Sequence, residues 1–530
     1  MRLSHDPLKT SARFDDPNLV SRAGLVPVMG LAERAGLFAL ARGHVTVTGP
    51  CAANAGLKIG CLAAGMAAGA DSIDDMDVLR HGAMAAIFDG VRAPSTLGSF
   101  LRSFTWGNVR QLEKVSRLLL AELARRAPLL PGAGQLAFVD ADSMQKRVYG
   151  HKKQGAAFGH TKIQGKTVLV RGLNALAATV CTPRSAPVIA ATRLRGGSAN
   201  TARGAASLVA EAVSTARACG CTGTIVARMD SGYYNAAVCQ AARGAGAYFS
   251  VTARLDAAVT AAIAAIPEGA WTPICYPRAA WDDQLGCWIS DAEIAEAAYT
   301  AFASRKGQAI TARLIVRRVR DLSKAARGQG ELFPVWRYHP VFTDSPFIIV
   351  QAEEQHRDHA VVEQVFADVT SGPLAHLPSG RFAANAAWLT LAAIAHNLLR
   401  AAGCRASPFH SKARAATIRA DLISVAARIA RTGRGHLTLH LPLGWHREAE
   451  WMSLFQAGCG PPARGLTSPD PVCTLTAPKP PHPICPAASP DKPQDQQAAA
   501  QPRPQQTSRS FPPGRNFRKR SPEVRRWIEA

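Results

Sequence analysis

Leu136-Ala137-Phe138-Val139-Asp140-Ala141-Asp142 is a short apolar run that closes in acid. A run of this length reads as a buried strand, and Asp140 and Asp142, two apart, lie on one face of it. Thr224-Ile225-Val226-Ala227-Arg228-Met229-Asp230 closes the same way. Working outward, strand-like stretches fall at 135–142, 174–182, 187–193, 224–229 and 247–253. Helical stretches, 201–219 and 234–244, follow the third and fourth. Three strands, helix, strand, helix, strand is the order of a three-layer mixed sheet flanked by helices. In such a sheet the ends carrying Asp142 and Asp230 lie side by side.

The flanks differ in character. Residues 18–127 read as helical, with Leu112, Val115, Leu119 and Leu123 at helical spacing. Arg92-Ala93-Pro94-Ser95-Thr96 reads as a turn and N-cap before Leu97–Arg102. That segment is either the second helix of a DNA-reading domain or part of a plain bundle. Residues 255–346 carry Pro, Trp and β-branched runs such as Ala312-Arg313-Leu314-Ile315-Val316 and read as a mostly β insertion. Helices return at 351–369, 383–400 and 412–431, with a short strand at 436–440. The expected fold is therefore α/β: a ribonuclease-H-like core with a β-rich insertion, preceded by an all-helical N-terminal domain. Its boundaries are 1–130 helical and DNA-binding, 131–254 core, 255–346 insertion, 347–456 core completion, and 457–530 a Pro/Gln-rich basic tail unable to bury a core.

Charge narrows the function. Lys and Arg number 62 against 38 Asp and Glu, a formal net charge of +24. Such a field attracts polyanions, of which nucleic acid is the commonest. The 12 cysteines show neither a disulfide framework nor zinc-finger spacing, and they read as reduced thiols in a cytoplasmic, nucleoid-associated protein. The most apolar window, 51–70, is broken by Lys58 and by glycines, so it reads as a buried helix pair and no membrane partner is expected.

Acids at the ends of apolar runs stand out in so basic a chain. A third, Glu363, sits in the amphipathic stretch Gln355–Val369. Mg²⁺, or Mn²⁺ in its place, takes oxygen ligands and keeps several waters, so a few carboxylates suffice, and such sites cut and join phosphodiesters. Asp142, Asp230 and Glu363 are the expected metal-binding and catalytic set, with Asp140 the alternative to Asp142. On one ideal helix His356, His359 and Glu363 share a face, with Arg357 nearby, placed to grip a phosphate. A His/Glu zinc site is the rival reading. Gly159–Thr167 looks like a phosphate loop but has five residues between its glycines rather than four. ATP hydrolysis is therefore rejected, and Lys162 and Lys166, with Lys152 and Lys153, are expected on a nucleic-acid backbone.

Several further segments carry a family resemblance. They are Ala12–Val20, Gly65–Asp75, Arg92–Gly98, Val139–Ser143, Met229-Asp230-Ser231-Gly232-Tyr233-Tyr234, His356–Gln364 and Leu377–Trp388. In this order and spacing the chain resembles the DDE transposases of bacterial insertion sequences, and within them the thirteen-eighty family. The resemblance covers roughly residues 12–460.

It implies a DDE triad of Asp142, Asp230 and Glu363 with Mg²⁺ or Mn²⁺. It implies double-stranded DNA as partner, both element terminal inverted repeats and target, with a homodimer in the synaptic complex. Arg381, in the last segment, joins the expected DNA contacts. Relatives carry Tyr, Arg and Lys at seven before, four before and seven after the glutamate; here those positions are His356, His359 and Thr370. Cut-and-paste relatives use an insertion tryptophan at a hairpin intermediate, for which Trp271, Trp281, Trp288 and Trp336 are available. The alternative function is a catalytically inactive DNA-binding remnant or a repressor of transposition.

Overall fold

The computed structural model describes residues 1–461, apart from residues 2, 151, 164–165, 278 and 321–334. Strand β1 (Leu19–Val20) belongs to a small second sheet, and β2 (Leu136–Arg147) is a central strand of the large one. Next come β3 (Ala157–Ile163), β4 (Lys166–Cys181), β5 (Val188–Gly196), β6 (Thr224–Met229) and β7 (Tyr248–Thr252). β2 pairs antiparallel with β4 and parallel with β6, and β7 lies parallel beyond β6. β5 pairs antiparallel with β4, so the order across this part is β5-β4-β2-β6-β7. Helices Ala205–Ala218 and Ala236–Gly244 make the two crossovers to β6 and β7. The five strand-like runs read from the sequence all become strands of this mixed α/β sheet.

β3 was not expected. It forms a hairpin with β4, so Gly159–Thr167 is no strand–loop–helix phosphate cradle. The described part of 255–346 is mostly β, but it opens with helix Ala257–Ala264, capped by Asp256. Its strands are β8 (Thr272–Pro273), β9 (Ala280–Asp282), β10 (Cys287–Ile289), β11 (Ala292–Ala301), β12 (Ile310–Arg320) and β13 (Trp336–Thr343). Among the described residues of this segment, β9 and β10 form a separate hairpin. The others continue the large sheet in the order β7-β13-β12-β11-β8, because β13 fills the edge of β7. An open edge invites a partner, and here the same chain supplies it.

Around the sheet, residues 18–127 are helical apart from β1 and turns. Helix Trp106–Arg126 starts at a capping box between Thr105 and Asn108, buries Val109, Leu112, Val115, Leu119 and Leu123, and ends on Arg125 and Arg126. Helix Pro94–Arg102 begins at Pro94, inside the stretch read as a turn and three residues before the expected start at Leu97, and turns Leu97, Phe100 and Leu101 inward.

The 412–431 helix is overturned. Short helical turns end at Ile423, and β14 (Ala427–Arg431) pairs with β1 and with β15 (Leu437–His440). The alternating Ala427-Arg428-Ile429-Ala430-Arg431 suits a strand with one face covered. Helix Phe382–Ala406 is long and apolar enough to cross a bilayer, a feature the sequence reading passed over; most of it is buried inside the protein. The earlier apolar window forms one buried helix, Ala55–Ala68, rather than a pair. The largest of three hydrophobic clusters among the described residues runs from Val20 to Leu454. The tail beyond residue 461 lies outside the described residues.

Candidate active site

The register of β2 on β6 ends at Ala141 opposite Met229, so Asp142 and Asp230 are the next pair along. Neighbouring strands lie about 4.8 Å apart, which sets the spacing of the two backbones. Beyond β6 the chain turns sharply. Asp230 Oδ1 accepts from the backbone N–H of Gly232 at 2.9 Å, capping the short turn Ser231–Tyr233. A Cβ on Gly232 would stand 3.0 Å from Asp230 Oδ1 and 2.8 Å from Thr201 Cγ2, so only glycine leaves the carboxylate room. On β2, the Ser143 N–H donates to Asp142 Oδ1 at 2.6 Å.

Asp142 is the electrostatic centre. Burial first, and then the charges of Asp230 and Glu363, push its carboxyl up to about 7. Both other acids therefore act on it across the fold. All three offer oxygen, the donor that hard divalent cations take. Among the described residues, no three His, Cys, Asp or Glu side chains are gathered closely enough to hold a metal, so the donor chemistry fits while the carboxylates stand apart.

Asp140 has a different fate. It is fully buried, and both its oxygens are engaged by Arg228, at 2.7 Å from Nε and 2.8 Å from Nη2. Arg228 lies over the Phe138 ring at 3.8 Å and spends its remaining nitrogen on the carbonyl of Gln355, 2.6 Å away. Asp140 has no free lone-pair edge toward solvent, which leaves Asp142 as the acid of β2 able to meet a ligand.

The helix carrying Glu363 is not one amphipathic run. Helix Ile349–Arg357 breaks at a 3₁₀ turn, Asp358–Ala360, before helix Val361–Thr370 begins. The break undoes the shared face predicted for His356, His359 and Glu363. Glu363 is exposed, whereas His356 is 5% exposed. The His356 ring nitrogens sit 2.9 Å from Ser250 Oγ and 2.9 Å from Thr252 Oγ1. Burial first, then His359, Arg228 and Arg317, push its basicity down to about 3, so it stays neutral. Both ring nitrogens are taken up by these hydroxyls inside the protein.

His359 stacks on His356 at 5.3 Å, with Nδ1 3.0 Å from the His356 carbonyl oxygen. Arg357 is partly exposed and donates from Nε to Glu353 at 2.9 Å. The Thr370 hydroxyl donates to the Phe366 carbonyl at 2.6 Å, its own helix, so nothing there replaces a lysine. Arg381 is exposed and donates to the Arg102 carbonyl. The side chains of Lys162 and Lys166 lie outside the described residues.

Of the insertion tryptophans, Trp271 and Trp336 both face the Arg318 guanidinium, at 4.3 and 4.4 Å. Trp281 and Trp288 form an edge-to-face pair across the β9–β10 hairpin.

Tyr233 is a residue the sequence reading quoted without assigning. It is fully buried, and burial first, then the charge of Asp142, hold its phenol protonated well above the ordinary range. The signal was its place in Asp230-Ser231-Gly232-Tyr233, three residues past a strand-end acid.

With this geometry in hand, the sequence pattern described as Transposase DDE domain group 1 matches residues 5–457. No curated protein matches the sequence. A match running from the N-terminal helices through the last helix, over the mixed sheet and all three acids, places the chain in the family of DDE-domain transposases, group 1.

Proposed function

We propose that this transposase cuts and joins DNA strands at the ends of an insertion sequence, with Asp142, Asp230 and Glu363 as its carboxylate triad. The observation that carries the reading is the raised Asp142, whose carboxyl feels both Asp230 and Glu363 although 88 and 221 residues separate them from it along the sequence. Bound to these three, Mg²⁺ or Mn²⁺ would make a water or a 3′-hydroxyl more acidic and stabilise the leaving oxygen. The chain's own part is to hold the carboxylates. The Ser143 and Gly232 N–H groups orient Asp142 and Asp230. The strand order β5-β4-β2-β6-β7, with β2, β4 and β5 successively antiparallel and β6 and β7 parallel to β2, supports a ribonuclease-H-like core over 131–254 and 347–456.

The finer assignment is the thirteen-eighty family, acting as a homodimer on double-stranded DNA: terminal inverted repeats and a target. Arg357, His359 and Arg381 remain the available DNA contacts among the described side chains, and residues 1–130 the DNA-binding region. The free cysteines among the described residues suit a cytoplasmic protein at the nucleoid. Replacing Asp230 by Ala is expected to abolish Mg²⁺-dependent nicking of element ends while leaving their gel shift intact. Persistent nicking would remove Asp230 from the triad.

A second reading, a DNA binder that does not cut, draws on Thr370, whose hydroxyl is turned back on its own helix where relatives have lysine. A wild-type chain that shifts the element's ends but never nicks them would establish it.

A further inference from the structure

Two sets of bonds seize the helix before Glu363 at consecutive residues. From β6, Arg228 donates to the carbonyl oxygen of Gln355 at 2.6 Å. From β7, the hydroxyls of Ser250 and Thr252 each stand 2.9 Å from a ring nitrogen of His356. A neutral imidazole donates from one nitrogen and accepts at the other, so one hydroxyl gives and the other receives. Arg228 is in turn fixed by Asp140, two residues before Asp142 on β2, and lies two residues before Asp230 on β6. Four of these groups are buried, with Asp140 0%, Arg228 2%, Ser250 2% and His356 5% exposed, and Thr252 is half-buried. Buried polar groups in a satisfied network hold a unique geometry, since losing any bond strands its partner.

We propose that Asp140–Arg228 and Ser250–His356–Thr252 form a two-point clamp that sets the position of Glu363 against Asp142 and Asp230. The clamp rests on the triad reading for its purpose, but its mechanics are independent of it. One arm ties the strands bearing Asp142 and Asp230 to the end of helix Ile349–Arg357. The other ties that same end to β7. From there only the 3₁₀ turn Asp358–Ala360 and the first turn of the next helix separate the clamp from Glu363. Arg228 and His356 are thus positioning residues that touch neither DNA nor cation. Arg228 also balances Asp140 behind the acids, so the negative charge of the strand ends is confined to the two residues that face outward.

Two variants of the full chain test this. D140L/R228M replaces the buried pair by apolar side chains of similar size, a change that often keeps a protein folded. S250A/T252V removes both hydroxyls at near-constant volume. Amide hydrogen exchange should accelerate about tenfold or more over residues 358–370 in each, while β2 and β6 stay protected. Mn²⁺ affinity, read by electron paramagnetic resonance of free MnCl₂, should fall about tenfold or more, as for other residues that orient metal ligands. If the first variant does not fold, the second carries the test.

Unchanged exchange over 358–370 overturns the clamp. Faster exchange with unchanged Mn²⁺ affinity, in a series where E363Q loses affinity, shows that the clamp holds the helix without placing Glu363 and also overturns the proposal. E363Q binding Mn²⁺ like the wild type would instead overturn the triad reading, whatever the exchange data show.

Discussion

At the scale of single residues, Asp140 and Asp142 show how neighbours with one chemistry acquire opposite roles. Alternation puts both on one face of β2, and nothing local separates them. Arg228, supplied by the next strand, neutralises Asp140 and leaves Asp142 to feel Asp230 and Glu363. The consequence is a pH dependence of known sign. A carboxyl raised from 3.8 to about 7 gives stability that is fully present below 3.8 and lost as pH rises through 7. Without divalent cation at pH 8, D142N is therefore expected to melt above the wild type by about 2 °C or more, a gap that narrows at pH 5. Adding MgCl₂ at pH 8 should raise the wild-type melting temperature and leave D142N nearly unmoved. Calorimetry checks both, and a D142N that melts below the wild type at pH 8 would show that Asp142 is not strained by its neighbours. The same residue-scale logic corrects His356. Its sequence spacing suggested a phosphate contact, yet two hydroxyls from β7 hold it in the interior.

Elements were legible where one local pattern dominated. The runs ending in Asp142 and Asp230 became strands, and the helical spacing of Leu112, Val115, Leu119 and Leu123 became the buried face of helix Trp106–Arg126. Elements were missed where a partner far along the chain decided them. β14 reads as a helical tail until β1 and β15 are seen to flank it. The stretch around Glu363 reads as one helix until the contacts at Gln355 and His356 fix its first half and the turn at Asp358–Ala360 redirects the second. Helix Phe382–Ala406 shows the same dependence from the other side. Its Asn397 accepts the Ile189 N–H and donates to the Ile189 carbonyl, each at 2.8 Å, and so covers the open edge of β5. N397A would leave both backbone groups buried without a partner, at about 1–3 kcal/mol for each. Urea denaturation should show a total loss of about 2–6 kcal/mol for the two groups, and an unchanged midpoint would mean that water reaches the edge.

For the molecule as a whole, a net charge of +24 makes phosphate contacts the expected source of affinity. Binding to random duplex DNA is expected to weaken by about 10³-fold or more between 50 and 200 mM salt if six or more phosphates are engaged. A nearly flat titration in a gel-shift assay would argue against a wide phosphate footprint. The sequence by itself determined five strands of the large sheet, the two crossover helices and the two strand-end acids, because apolar runs, periodicity and chain order are local and survive without neighbours. Only the tertiary structure decided that strands of 255–346 extend the large sheet, that Asp140 is paired with Arg228, that His356 is internal, and that the charge of Glu363 reaches Asp142. Those outcomes depend on pairings such as β7 with β13, Asp140 with Arg228 and Thr252 with His356, which join residues about 90 to 105 positions apart. Burial and charge at such a contact exist only once the chain has closed on itself.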